Sequence, residues 1–350
     1  MRITLTILAL FISTFVFGQS LKDLSFGESS SFEAITWNLE FFPKNNQITI
    51  DSTALAISKL DADVVALQEI DDVNAFQQLA NSLPNYQGYI IPENYGNLTL
   101  AYLIKEDVEV VNHTSIYTSS SYTSMFAGRP PYLIEVIHSG TSYFLINVHF
   151  KCCGDGNLDM NDSSDEENRR LQAANQIKTY IDSYLVNENV IVLGDFNDLI
   201  EEGESNNVFQ SIIDDSENFL FADMYIAQQS SSNWSFPSWP SHLDHILISN
   251  ELIDDFENSY NNAQTILIDN FFANGFNGYD NCISDHRPVG IKLFQITSNI
   301  EEEIKPKSKL KHIRDIRGRK SSAHSNNIQF YFYENGTVEK HLIIDNGFKR

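Results

Sequence analysis

The sequence is poor in positive charge, cysteine and long apolar runs. Its 23 Lys and Arg face 47 Asp and Glu, a net charge of −24. The shortage lies in the main body. Residues 301–350 hold 11 basic against 7 acidic residues, which leaves 12 against 40, a balance of −28, in residues 1–300. Such a body cannot grip a polyanion through a general basic face. Phosphate chemistry on it would need metal ions to offset the repulsion. The three cysteines, Cys152, Cys153 and Cys282, are too few for a disulfide scaffold and lack zinc-ligand spacing. Cys152 and Cys153 are adjacent, poor geometry for an ordinary disulfide with each other. In an oxidising compartment one of them could pair with Cys282 and leave an odd thiol. One apolar run stands out, Leu5–Phe17, shorter than a membrane span. With Arg2 before it and Val16-Phe17-Gly18 at its end, it reads as a signal peptide over residues 1–18, the alternative being an uncleaved anchor. The expectation is a secreted or cell-surface protein with no stable membrane span in its mature form.

What is present is a large core. Apolar residues make up 42% of the chain, with 24 Phe and 15 Tyr, which argues against disorder. Short apolar strands are predicted at Phe32–Trp37, Asp63–Leu67, Tyr86–Ile91, Thr99–Ile104, Glu109–Tyr117, Tyr132–Ile137, Phe144–Val148, Val190–Leu193, Leu243–Ser249, Ala263–Ile268 and Val289–Phe294. Helices are predicted over Thr49–Leu60 and Val73–Leu83, with Pro84 stopping the second. A third should start at a capping box formed by Ser164 and Glu167 and run to about Tyr184. Strands outnumber helices, and hairpins mix with crossovers. Two packed sheets flanked by helices fit this better than one doubly wound parallel sheet.

The stretch Val190-Ile191-Val192-Leu193-Gly194-Asp195-Phe196-Asn197 shows where chemistry would sit. A buried strand ends in a carboxylate and an amide two residues apart. Those groups suit a divalent metal, a water or a phosphate. The same stretch also reads as an Asx-rich turn after a strand. Other apolar runs carry polar residues in the same way: Asn38, Glu69, His149, Asp244 and Asp285-His286. Carboxylates are rarely buried without a partner or a metal, so several in this position point to one shared site.

The motifs Thr36-Trp37-Asn38, Leu67-Gln68-Glu69, Asn147-Val148-His149, Gly194-Asp195-Phe196-Asn197, Leu243-Asp244-His245-Ile246-Leu247 and Ser284-Asp285-His286-Arg287-Pro288 resemble, in order, those of the endonuclease/exonuclease/phosphatase superfamily. The resemblance implies a four-layered α/β sandwich and metal-dependent phosphoester cleavage; together with the signal-like segment, the expectation is a secreted enzyme whose favoured substrate is nucleic acid. Glu69, with Asn38 beside it and Asp285 as a further contact, would hold Mg²⁺, with Mn²⁺ or Ca²⁺ as alternatives. His286 would donate to a phosphate oxygen, with Asp244 fixing its tautomer. Asp195 would position or deprotonate the attacking water, and Asn197 would orient the phosphate. His149 would be a second phosphate donor, and Arg129 in Gly-Arg-Pro-Pro would reach the substrate. His149 also reads as a satisfied core histidine, Asp244 as a cap or turn residue, and Arg129 as a loop brace. A phospholipid or inositol phosphate is the alternative substrate. An inactive binding or adhesion module is the alternative of another class.

The predicted organisation is a signal peptide (1–18), a catalytic domain (30–296), a linker (297–310) and a small C-terminal β module (311–350). In that module Ile313–Lys320, Phe330–Gly336 and Lys340 resemble the sorting domain that sends Bacteroidetes proteins through the type IX secretion machinery. A basic β appendage that touches substrate is the other reading.

Overall fold

The computed structural model describes residues 20–90, 98–257 and 263–294 of the main body, and residues 310–315, 319–320, 328–333 and 338–342 of the C-terminal part. The predicted signal peptide, nearly all of the predicted linker and residues 334–336 lie outside the described residues. The chain divides into two compact units, residues 1–295 and 296–350.

Twelve strands of the first unit form two six-stranded sheets. They are β1 (Phe32–Phe42), β2 (Val64–Ile70), β3 (Tyr86–Ile90), β4 (Thr99–Lys105), β5 (Glu109–Ser115), β6 (Tyr132–His138), β7 (Thr141–His149), β8 (Val190–Asp195), β9 (Phe219–Phe221), β10 (Asp244–Ser249), β11 (Ala263–Thr265) and β12 (Val289–Leu293). One sheet has the order β11-β12-β1-β2-β4-β3, the other β5-β6-β7-β8-β10-β9. Each is antiparallel except for one parallel pair, β1 with β2 and β7 with β8. A parallel pair needs a long crossover. Helix α1 (Asn46–Leu60) supplies the first and α3 (Glu166–Tyr184) the second, while α2 (Val73–Asn81) follows β2.

Both faces of the central strands are covered, so the strands read as nearly continuous apolar runs. In β1, Phe32 and Ala34 face the other sheet, while Ile35 and Trp37 belong to the cluster under α1 and α2. In β8, Ile191 and Leu193 face between the sheets, and Val190 and Val192 pack with Ala173, Ala174 and Ile177 of α3. The result is the four-layered α/β sandwich. Among the described residues no helix is long and apolar enough to cross a membrane.

The sequence expectations differ from the structure in detail. β1 runs on to Phe42, past the predicted end at Trp37. The α3 cap is Asp165, whose carboxylate accepts from the Asn168 backbone N–H. Glu167 does not close a capping box. It turns inward, with Oε1 3.1 Å from Arg170 Nη2, because a buried cation there needs an anion. All three cysteines are free, and neither Cys152 nor Cys153 pairs with Cys282. In the C-terminal unit β13 (Leu310–Asp315), β14 (Ile328–Tyr333) and β15 (Val338–Leu342) form a three-stranded antiparallel sheet. Its first strand begins within the stretch predicted as linker.

Candidate active site

The topology carries the chemistry to one edge of the sandwich. The parallel strands β2, β7 and β8 end there, delivering Glu69, His149 and Asp195. The antiparallel strands β10 and β12 begin there, so Asp244 opens β10 and His286 precedes β12. Register sets the spacing: Asp195 is the strand partner of both His149 and Asp244. Two features adapt the backbone to this edge. The β1–β2 register shifts between Asn38 and Phe42, and Glu69 takes a left-handed φ of 59°. A bulge re-aims the side chains beyond it, and a non-glycine residue holds positive φ only when its surroundings enforce it. At Gly194 the β7 backbone comes so close that a Cβ would lie 1.9 Å from the Val148 carbonyl oxygen. Only glycine allows that approach one residue before Asp195.

Below the edge, a closed polar network ties the two sheets together. Asn147 donates to the carbonyls of Leu67 and Ala101 and accepts from Gln68, whose carbonyl accepts from the Thr36 hydroxyl. Each buried amide has partners, so the network specifies a single alignment of the sheets.

Asn38 lies between two carboxylates, its Nδ2 2.9 Å from Asp195 Oδ2 and 3.2 Å from Glu69 Oε1. The Phe41 backbone N–H donates to the other Glu69 oxygen at 3.0 Å. His149 Nε2 is 3.5 Å from Asp195 and 3.8 Å from Glu69. His286 Nδ1 is 2.7 Å from Asp244 Oδ2, while its Nε2 is 4.0 Å from Asp195. Asp195 Oδ1 accepts from the Asn197 backbone N–H at 3.0 Å. Arg129 donates to the carbonyls of His149 and Phe150, which makes it a brace for the loop after β7 as well as part of the cleft wall. Asp285 lines the same cleft, and its N–H donates to Glu40. It is not in the carboxylate–histidine clusters that bring Glu69, His149, Asp195, Asp244 and His286 together. The cleft has a volume of about 610 Å³. A roomier groove of about 910 Å³ runs along α2, β3 and β5, but gathers none of these groups.

The ionisation states follow from burial and neighbours. Burial pushes the Asp195 carboxyl up to about 7; His286 opposes the rise and Asp244 adds to it. Burial alone would lower the His286 imidazolium, but Asp244 and Asp195 outweigh it and raise the group to about 10. His149 is held well below the usual histidine range by burial, with Arg129 and His286 adding to the effect. The site therefore pairs a cationic His286 with a neutral His149. Glu69, His149 and Asp195 offer ligand atoms all within 4.8 Å of one another. Arg129 in the cleft wall spends Nε and Nη2 on backbone carbonyls rather than on these carboxylates. This oxygen-rich, under-neutralised pocket fits a hard divalent cation.

Other residues support the site; apart from Ser284 and His245, which lie within the motifs, they carry no local sequence signal. Ser284 Oγ donates to the Asn38 carbonyl and accepts from the His286 backbone N–H. Tyr279 is buried with its hydroxyl on Trp37 Nε1 and the His286 carbonyl. Ser235 Oγ accepts from the N–H groups of Leu243 and Asp244, and the Phe236 ring lies 4.7 Å from the His286 ring. Buried Arg170 holds Asp198 at 2.6 Å and donates to the carbonyls of Lys151 and Cys153, fixing the loop after β8 against the loop after β7. His245 points away from the cleft, bonded to Asp223 at 2.6 Å and to the Asp198 carbonyl.

The profile of the Endonuclease/Exonuclease/phosphatase family matches residues 35–286. No curated protein sequence matches the chain significantly. Among solved structures, D. rerio TDP2 complexed with single strand DNA product has a TM-score of 0.56 at 14% identity, covering 75% of this chain and 98% of that one. Truncated Caenorhabditis elegans TDP2 has a TM-score of 0.54 at 15% identity, with coverage of 75% and 98%. An endonuclease/exonuclease/phosphatase from Bacteroides vulgatus has a TM-score of 0.50 at 14% identity, again with 75% and 98%.

Proposed function

The chain belongs to the endonuclease/exonuclease/phosphatase family of metal-dependent phosphoester hydrolases, and from that premise we propose that it is a nuclease hydrolysing phosphodiester bonds of nucleic acid. The observation that carries the reading is the Asp244–His286 pair set beside Asp195 in an acidic, metal-compatible cleft.

The residues divide the work. Asp195, raised towards neutrality, orients a water and takes its proton; a general base works best with a pKa near the operating pH. Asn38 holds that carboxylate in place. His286 donates to a nonbridging phosphate oxygen, and Asp244 keeps its ring in the donating orientation. Neutral His149 gives a second hydrogen bond, and Asn197 orients the phosphate. Glu69 would hold the metal, with Asp285 nearby; Asn38, expected beside Glu69 as a ligand, turns its Nδ2 to Glu69 and Asp195 and its Oδ1 to the Glu40 N–H, and steadies the carboxylates. When bound, Mg²⁺ supplies charge stabilisation to the phosphoryl group as negative charge builds up.

The aromatic loop after Asn233 supports nucleic acid over a membrane lipid. Trp234 Nε1 is tied to the Ile226 carbonyl and Phe236 packs on His286, which leaves Trp239 alone fully presented, 78% exposed. That is no apolar hairpin for entering a bilayer. The TDP2 structure with single strand DNA product shows that the fold accommodates such a ligand in a relative. The test is a hydrolysis screen of purified protein on plasmid DNA, RNA, sphingomyelin and inositol phosphates, each with and without EDTA. Cleavage of lipid alone would overturn the assignment.

We also propose export, from the signal-like segment at residues 1–18 and the sorting-like pattern in residues 311–350. Deleting residues 299–350 should leave the enzyme active but retained in the periplasm. Normal export of the truncated chain would end the sorting reading.

A further inference from the structure

Cys152 and Cys153 stand on the wall of the cleft, a short way past His149, and the catalytic reading gives them no role. In an extended chain neighbouring side chains point to opposite sides. Here Cys153 takes a left-handed φ of 71°, followed by Gly154 at 107°, and this turn brings its sulfur back onto its neighbour. The Cys153 thiol donates to Cys152 Sγ at 3.0 Å. Arg170 fixes the turn by holding the carbonyls of Lys151 and Cys153. The Lys151 ammonium lies 3.7 Å from Cys152 Sγ. Cys153 is exposed and Cys152 is half-buried, so a reagent in the cleft can reach the pair. Cys282 is not among the residues lining this cleft.

We propose that Cys152 and Cys153 are a vicinal dithiol that is reversibly oxidised to a disulfide on the cleft wall. The oxidant is an external small-molecule or protein disulfide. One thiolate attacks a sulfur of that disulfide, releasing one external thiol and forming a mixed disulfide. The neighbouring thiol then loses its proton and displaces the second external thiol. Two protons and two electrons leave the pair, and one external disulfide becomes two thiols. Adjacent Cα atoms are ~3.8 Å apart across a trans peptide, below the usual disulfide range of about 4.4–6.8 Å. The closed ring is therefore strained, and strained disulfides are the easily reduced ones. This chemistry does not depend on which phosphoester the enzyme cleaves.

The test treats the full-length, reduced protein with oxidised glutathione, then alkylates remaining thiols and maps the peptides. The expected result is a link between Cys152 and Cys153, with Cys282 still alkylated and both thiols restored by dithiothreitol. Cys153→Ser should instead stop at a stable glutathione adduct on Cys152. A stable glutathione adduct on either cysteine of the unmutated protein, a link to Cys282, or no reaction would overturn the proposal.

Discussion

His286 Nδ1 lies 2.7 Å from Asp244 Oδ2, and Asp244 is fully buried at the start of β10. The pair sits where an unpaired charge would be costly, and the Asp244 carboxylate helps hold the His286 imidazolium in its charged form. With His286 raised to about 10 from an ordinary 6.5, its stabilising contribution is complete below about pH 6.5 and is lost as pH rises through 10. The rate should therefore hold well into the alkaline range. Asp244→Asn should move the alkaline limb of the kcat profile downward. His286→Gln should lower kcat by about 10²- to 10⁴-fold. The double variant should lose no more than the worse single one, since both act through one imidazole. An unmoved alkaline limb, or losses that add, would contradict the pairing.

Asp195 gives a second pH dependence. Its carboxyl is raised to about 7 from 3.8, so between those values the metal-free native state holds a proton that the unfolded chain has lost. Its stabilising contribution is present below about pH 4 and is lost as pH rises through 7. A divalent cation favours the carboxylate and reverses the penalty. The gain in Tm on adding Mg²⁺ to EDTA-treated protein should be larger at pH 8 than at pH 5. An equal gain at both would place the cation away from Asp195.

Arg170 is buried between Glu167 and Asp198, with Nη2 at 3.1 Å and Nε at 2.6 Å. Arg170→Met leaves two carboxylates buried without their counter-ion. Removing one partner of such a pair costs about 3–5 kcal/mol. Urea unfolding should show a loss of that order, with a fall in activity because the Asp195–Asp198 loop loses its anchor. A loss within the range of ordinary surface changes, about 0.5 kcal/mol, would show that the network is dispensable.

The contrast between Glu69 and Arg170 shows what the sequence could reveal. Glu69, Asp195 and Asp244 were legible because each is a carboxylate next to an apolar run, and a buried strand is recognisable from local composition. Arg170 reads as one more polar residue on an amphipathic helix. Its role exists only because α3 packs over β8 and places it beside Asp198, 28 positions away. Tyr279 is further from view, since its partner Trp37 lies 242 positions earlier. The α3 boundary slipped because Ser164 and Asp165 are both good caps, and the choice between them was made by the inward turn of Glu167. The Cys152–Cys153 contact depends on a left-handed φ that no side-chain pattern announces.

The central claim is metal-dependent phosphodiester cleavage carried by the Glu69, Asp195 and His286 edge of the sandwich. The most direct measurement is the rate of DNA cleavage by the unmutated protein and by Glu69→Gln, in EDTA and across a Mg²⁺ titration. The account predicts no cleavage in EDTA and recovery with Mg²⁺. It also predicts that Glu69→Gln needs a much higher Mg²⁺ concentration and reaches a lower maximum while its thermal unfolding in EDTA is unchanged. Full activity in EDTA, or a Glu69→Gln curve that overlays the unmutated one, would contradict it.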